Sequence, residues 1–384
     1  MEIQLVNLSS NNVFNKFCNK YNIYKEEFQP GIFAIEIRHI SLILSDKVKD
    51  ITYSGENFYF TSNLINDEVN ILLIGTLNYL KKLAKRILSK EIGDLSQKIL
   101  NLINNYENYN YIKYTIGNRE FDFQYLYLMG ILNVTHDSFS DGGLYFKEED
   151  AVHHAIEMLD GGAHIIDIGA ESTRPGSDPV SSEDELNRLI PVIEKILALR
   201  KDAIISIDTT KEIVAEKSLE VGAKIINDIS GLTFEPSILE IIKKYDAALV
   251  IMHIKGIPKN MQINPVYDDV VEEVYDFLSN KVMLAKSKGV EKIFIDPGIG
   301  FGKRFNDNKD LINRLEDLKC IGKPILIGVS RKSFLGNIIN ADVNSRDTAT
   351  SIVESVAIKN GAKVIRTHNT ENGIQVNKIM NYLN

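Results

Sequence analysis

GAHIIDIGAESTRPGSDPVSSEDELNRLIPVIEKILALRKDAIISIDTT, residues Gly162–Thr210, reads as a strand, a loop, a helix and a second strand. The runs His164–Ile168 and Ile204–Ile207 are short and almost continuously apolar, which suits a parallel sheet buried on both faces. Glu183–Leu199 between them has helical periodicity, and each apolar run ends in a polar cluster. Working outward, the same beat fills the chain from Tyr125 onward. Its candidate strands are Leu126–Leu132, His164–Ile168, Ile204–Ile207, Lys224–Asn227, Ala248–Met252, Lys292–Ile295, Pro324–Gly328 and Lys363–Arg366. Its candidate helices are Glu148–Leu159, Glu183–Leu199, Lys211–Glu220, Pro236–Lys243, Asp268–Lys288, Lys309–Leu318, Asp347–Lys359 and Glu371–Leu383. Gly161, Gly222, Gly289 and Gly361 follow helices, where a left-handed terminating residue is needed. Eight strand-helix repeats predict an α/β fold, a (β/α)8 TIM barrel. The competing open doubly wound sheet would carry GxGxxG in its first turn, and none is there.

Residues 1–124 differ in texture, being rich in Asn, Tyr and Lys, with a low-complexity stretch at Asn101–Tyr114. Ile32–Ile37, Leu42–Leu44, Phe58–Thr61 and Ile71–Ile74 read as strands, and Thr76 can cap a helix carrying Leu80, Leu83, Ala84, Ile87 and Leu88. The prediction is a small α+β N-terminal domain over 1–124, a structural or oligomerising appendage without a chemical motif, and a barrel domain over 125–384 with the boundary near Phe123.

The 384 residues are 44% apolar and 25% charged, the balance of an ordinary globular protein, and the formal charge of −8 argues against broad contact with nucleic acid or anionic lipid. Cys18 and Cys320 belong to no CxxC or zinc-type cluster. With no signal-like start and no apolar window of about 18 residues, a cytoplasmic location is expected.

In a barrel the active site lies at the C-terminal strand ends. Those ends carry Asn133; Asp167 running into Glu171-Ser172-Thr173-Arg174-Pro175; Asp208; Asn227-Asp228; Met252-His253; Asp296; Ser330-Arg331-Lys332; and Arg366-Thr367-His368. Any one of these could cap a helix or close a turn; their convergence on one rim points to a site. Asp208, Asn227 and Asp296 suit a flat, guanidine-like heterocycle such as a pterin or purine edge. Arg174, Arg331, Lys332, Arg366 and His368, with Thr173, suit a di- or triphosphate. Asn133, with Asp137 or Asp141, offers the hard oxygen ligands that Mg2+ prefers. DPGIGFGK, Asp296–Lys303, does not match GxxxxGK[ST]; its glycines would let the backbone approach the flat ligand, with Phe301 packed against it. His39, His153, His154 and His164 read as structural or solvent-facing, and His253 as either lining the site or not.

Seven ordered motifs, MGILNVTHDSFSDGG (Met129–Gly143), GAHIIDIGAESTRPGS (Gly162–Ser177), SIDTT (Ser206–Thr210), INDISG (Ile226–Gly231), IDPGIGFGK (Ile295–Lys303), GVSRKSFLG (Gly328–Gly336) and RTHN (Arg366–Asn369), resemble those of the dihydropteroate synthases. The resemblance implies condensation of 6-hydroxymethyl-7,8-dihydropterin diphosphate with 4-aminobenzoate in folate biosynthesis, by a Mg2+-dependent homodimer that is a sulfonamide target. Carried over position by position, it places Asp208, Asn227, Asp296, Lys332, Arg366, Met252 and Phe301 on the pterin. Asn133, Thr173, Arg174, Arg366 and His368 would meet the diphosphate, with Asn133 on the metal. Phe139, Thr173, Pro175, Ser330 and Lys332 would shape the aminobenzoate pocket, and Lys332, Asp208 and Asp296 would carry the catalysis. The N-terminal segment is similar to extensions of some bacterial members. His136 stands where the family usually has proline, which loosens the first loop. The rival readings are a pterin-dependent methyltransferase, which has no use for a diphosphate grip, a non-catalytic pterin-binding relative, and a fusion whose N-terminal part performs a second folate step.

Overall fold

The computed structural model describes residues 1–23, 32–52, 59–65, 68–88, 92–134, 144–172 and 179–383. The chain forms two compact units, Met1–Tyr109 with Glu316–Gly322, and Asn110–Leu315 with Lys323–Asn384. No helix among the described residues is long and apolar enough to cross a membrane.

The first unit runs β1 (Glu2–Asn7), α1 (Asn11–Tyr21), β2 (Phe33–Ile40), α2 (Leu42–Thr52), β3 (Tyr59–Ile65), β4 (Glu68–Gly75), α3 (Leu77–Leu88) and α4 (Gly93–Glu107). Its antiparallel sheet has the order β1-β2-β4-β3. Val6, Ala34, Leu72 and Ile74 of the sheet pack against Val13, Phe17 and Tyr21 of α1. The expected strand at Leu42–Leu44 is instead the first turn of α2. The Ser41 hydroxyl accepts the Leu44 N–H at 3.3 Å, and Val48 and Ile51 bury one helical face, while Leu42 and Ile43 stay exposed. The low-complexity stretch is ordered as the end of α4, a short 3-10 turn and the start of the next strand.

The second unit opens with a hairpin, β5 (Lys113–Ile116) and β6 (Arg119–Asp122). Then follow β7 (Tyr127–Asn133), α5 (Leu144–Gly161), β8 (Ile165–Gly169), α6 (Ser182–Leu199), β9 (Ile205–Asp208), α7 (Glu212–Glu220), β10 (Ile225–Asp228), α8 (Ile238–Lys244) and β11 (Ala248–Met252). The chain ends through α9 (Val270–Ser287), β12 (Ile293–Asp296), α10 (Phe305–Asn313), β13 (Ile325–Ile327), α11 (Ser333–Ile339), α12 (Asp347–Lys359), β14 (Ala362–Thr367) and α13 (Thr370–Leu383). Strands β7 to β14 pair in parallel and close, β14 onto β7, into the eight-stranded barrel expected from the repeats. Details differ: α5 and α10 begin earlier than expected, α10 gives way to 3-10 turns at Leu315–Ile321, α11 is an added short helix, and the left-handed glycine after α5 is Gly162.

The compact units divide after Tyr109, not near Phe123, because the hairpin belongs with the barrel. Tyr114, Ile116, Phe121 and Phe123 bury in one apolar cluster with Tyr127, Met129, Ile165, Ile225, Val250, Phe294 and Val364. The Tyr114 hydroxyl donates to the Ile293 carbonyl at 2.9 Å. The hairpin thus closes the end of the barrel opposite the strand C-termini.

Candidate active site

Side chains alternate along a strand, so residues two apart share a face. Each apolar residue of the barrel floor therefore places the residue two positions later on the inner wall above it. Ile165 places Asp167, Ile225 places Asn227, Val250 places Met252, Phe294 places Asp296 and Val364 places Arg366. This register carries the polar groups to one rim.

Arg366 organises half of it. Its Nε donates to Asp167 Oδ2 at 2.6 Å and its NH2 to Asp208 Oδ2 at 2.8 Å, while Asn227 Nδ2 donates to the same Asp167 oxygen at 3.1 Å. This bond uses one of the two Asn227 amide donors, which leaves a second donor and the amide oxygen as acceptor. Burial pushes the Asp208 carboxyl up to about 7, reinforced by the Asp167 charge and opposed by Arg366.

Asp296 and Lys332 form the second group. Asp296 is buried and accepts the Gly298 N–H at 2.7 Å; burial raises its pKa, and Lys332 opposes the rise. The Lys332 ammonium donates to the Ile299 carbonyl and lies 4.5 Å from the Phe301 ring centre, with burial bringing its pKa down to about 8. Phe301 packs against Ile229, Met252, Ile254 and Met261. The Lys332 backbone is set by its neighbour: Arg331 has φ of 56°, a strained value for a side-chain-bearing residue. Its N–H donates to Thr350 Oγ1 at 3.1 Å, and its guanidinium makes two bonds to Asp347 at 2.7 and 2.9 Å. Arg331, expected among the phosphate-binding cations, is therefore engaged in holding the turn.

His368 donates its N–H to Ser330 Oγ at 3.1 Å, and its Nδ1 lies 3.0 Å from the same oxygen. Asn133 ends β7 exposed on the rim. Phe139, Thr173, Arg174 and Pro175, with His136, Asp137 and Asp141, lie outside the described residues.

Two buried groups to which the sequence gives no binding or catalytic role also stand here, Asp167 and Lys303. Asp167 had a signal, an acid in the middle of an apolar strand; Lys303 had none, because lysine is almost never fully buried. The glycines of Asp296–Lys303 serve the chain's own packing. A Cβ on Gly298 would stand 1.9 Å from the His253 carbonyl oxygen, and one on Gly302 2.3 Å from that of Lys255. His253 lies beneath the site, its ring 5.0 Å from that of Phe277, and burial holds it neutral. His164 is structural: its Nδ1 accepts the Leu128 N–H at 3.0 Å, and burial brings its pKa down to about 4. His39 pairs with Glu68, and His153 and His154 lie beside Glu157 on α5.

Among the described residues no group of three His, Cys, Asp or Glu side chains could hold a metal. The donor set on the rim, one amide oxygen from Asn133, fits only an ion held chiefly by a phosphate ligand and water, as Mg2+ commonly is.

The pterin binding enzyme family matches residues 129–368, wholly within the second unit. The chain is 46% identical over 274 residues to dihydropteroate synthase of Synechocystis sp., covering 70% of this chain and 94% of that one. It is 42% identical over 261 residues to dihydropteroate synthase of Escherichia coli, covering 67% and 92%. Among solved structures, Yersinia pestis dihydropteroate synthase in complex with a sulfonamide drug superposes with a TM-score of 0.67 at 39% identity, over 71% of this chain and 99% of that one. The Xanthomonas albilineans enzyme with 4-aminobenzoic acid does so with a TM-score of 0.66 at 35% identity, over 71% and 97%. A rim carrying Asp208, Asn227, Asp296 and Lys332 on an eight-stranded barrel and these identities agree: the chain belongs to the dihydropteroate synthases of the pterin binding enzyme family.

Proposed function

We propose that this chain condenses 6-hydroxymethyl-7,8-dihydropterin diphosphate with 4-aminobenzoate to give 7,8-dihydropteroate and diphosphate. The observation that carries the reading is the convergence of Asp208, Asn227, Asp296, Lys332 and Arg366 on one rim, in a chain whose relatives are dihydropteroate synthases. Asp208, Asp296 and the Asn227 oxygen accept from the NH groups of the pterin edge, and Lys332 donates to its ring acceptors. The amine nitrogen bonds to the exocyclic methylene, the carbon–oxygen bond to diphosphate breaks, and the amine proton leaves to water. The carboxylates of Asp208 and Asp296 stabilise positive charge developing on the pterin, and Arg366 keeps the Asp208 carboxylate in place. Asn133, with Arg366, His368, Thr173 and Arg174, is assigned to the diphosphate, and Phe139, Thr173, Pro175, Ser330 and Lys332 to the aminobenzoate pocket. A Mg2+ ion on Asn133 and the phosphate oxygens would supply charge neutralisation for the leaving group. A homodimer is proposed on the apolar side chains of Ile338 and Ile339 on α11, Val343 on the 3-10 turn that follows, and Ile352 on α12, all exposed. A cytoplasmic location and a structural role for the N-terminal unit complete the proposal.

The test is diphosphate release by purified protein given both substrates and Mg2+. Release should require 4-aminobenzoate and fall at least about tenfold, a loss of about 1.4 kcal/mol, in Lys332→Ala and in Asn133→Ala. Tight pterin binding with no turnover would sink the synthase reading and leave a binding relative.

The ionisations give a second expectation. Asp208 must be charged to accept two donors, so kcat/KM should fall as pH drops through about 7, where its raised pKa lies. Lys332 must keep its ammonium, so kcat/KM should fall again as pH rises through about 8, its lowered value. The free enzyme should show a narrow bell. A flat profile across these two values would refute the assignment.

A further inference from the structure

We propose that Lys303 is a positioning residue for the pterin half of the site, a buried clamp that ties the glycine-rich loop after β12 to the end of β11 and so fixes Asp296 and Phe301. The proposal rests on the reading of that rim as a pterin site. Lys303 is only 3% exposed. Its Nζ lies 3.0 Å from the Phe301 carbonyl oxygen, 3.3 Å from the His253 carbonyl oxygen and 3.0 Å from His253 Nδ1. An ammonium has three donors and no acceptor, and these are three acceptors. The third is available because burial keeps the His253 ring neutral.

Stability gives no account of this lysine. A buried ammonium loses its hydration, and among the described residues no carboxylate forms an ion pair with it. The loop it underlies does need fixing, since Gly298, Gly300 and Gly302 all have positive φ and carry no side chain to pack. Both ends of the clamp bear on the site. The Phe301 carbonyl belongs to the residue whose ring lies beneath Lys332, and the His253 N–H donates to the Asp296 carbonyl oxygen at 3.0 Å. Burial pushes the Lys303 pKa well below the usual lysine range; the Asp296 carboxylate, and Asp307 with it, opposes that fall, while Lys332 and Lys255 add to it.

The experiment uses the full chain. Binding of 6-hydroxymethylpterin is measured by calorimetry, and KM is measured for each substrate. In Lys303→Met the pterin Kd and the KM for dihydropterin diphosphate should rise about tenfold, while the KM for 4-aminobenzoate stays within about twofold. His253→Leu, which removes one of the three acceptors and keeps the cation, should shift the same two quantities about threefold with the same split. It decides the matter if Lys303→Met does not fold. Unchanged pterin affinity in a folded variant, or equal losses toward both substrates, would overturn the clamp. Failure of the wild-type protein to bind 6-hydroxymethylpterin would overturn the pterin reading itself.

Discussion

Arg366→Met should lower kcat/KM about 10³-fold, close to 4 kcal/mol of transition-state stabilisation. The guanidinium spans two acids, Nε on Asp167 at 2.6 Å and NH2 on Asp208 at 2.8 Å. Asp167 is fully buried and Asp208 is 12% exposed, so neither recovers its hydration when the cation goes. Removing one partner of a buried pair costs about 3–5 kcal/mol, because the charge left behind is uncompensated. The melting temperature should fall as well, by about 2–4 °C per kcal/mol for a unit of this size. Burial and the Asp167 charge already raise the Asp208 pKa, and Arg366 is what opposes them. Without it the acid limb of the pH profile should move upward, which separates loss of the ion pair from loss of folding. Arg366→Lys should recover little, about 10²-fold below wild type, because a point charge cannot meet two carboxylates as a planar fork does. An Arg366→Met enzyme within about threefold of wild type would show that the pair contributes nothing to the reaction.

The same residues show what the sequence makes legible. Asp208, Asn227, Asp296 and Arg366 are polar groups closing apolar runs, and eight such runs in a strand-helix beat leave one architecture in which they meet. Asp167 could be seen, since an acid inside IIDIG is out of place, but its partners could not. They come from β10 and β14, and only barrel closure brings them to it. Arg331 illustrates a different limit. It adjoins Lys332 in sequence, yet its positive φ turns its side chain to Asp347 on α12. Local pattern does not encode that direction. The hairpin packs with the barrel although its sequence texture is that of the N-terminal residues, for a related reason. Tyr114, Phe121 and Phe123 alternate as any half-buried strand would, and which core they enter is a tertiary fact. At Leu42–Leu44 a cap outweighed apolar composition, because one Ser41 hydroxyl favours the helix start while Leu42 and Ile43 have nothing to pack against.

Gly298→Ala should have the next largest effect, about 10²-fold on kcat/KM, from the addition of one methyl group. Gly298 has φ of 68°, where a residue with a Cβ costs roughly 1–2 kcal/mol. The steric term is the larger, because the new Cβ would stand 1.9 Å from the His253 carbonyl oxygen and 3.0 Å from its carbon. That carbonyl is backbone at a strand end and is held in turn by Lys303 at 3.3 Å, so the loop must move instead. Movement carries away the Gly298 N–H, which donates to Asp296 at 2.7 Å, and with it the orientation of the carboxylate assigned to the pterin. A displacement of about 1 Å at a positioned group is enough for a loss of this size. Gly300→Ala is the informative contrast. Its φ of 82° carries the same backbone strain, but the nearest atoms to its new Cβ would all be Lys332 side chain, Cδ at 3.1 Å and Cε and Nζ at 3.8 Å, a stem and not backbone. The loss there should be nearer tenfold. Equal effects of the two substitutions on kcat/KM, at matched melting temperatures, would mean that backbone strain alone sets the outcome and that contact between the loop and the end of β11 does not position Asp296.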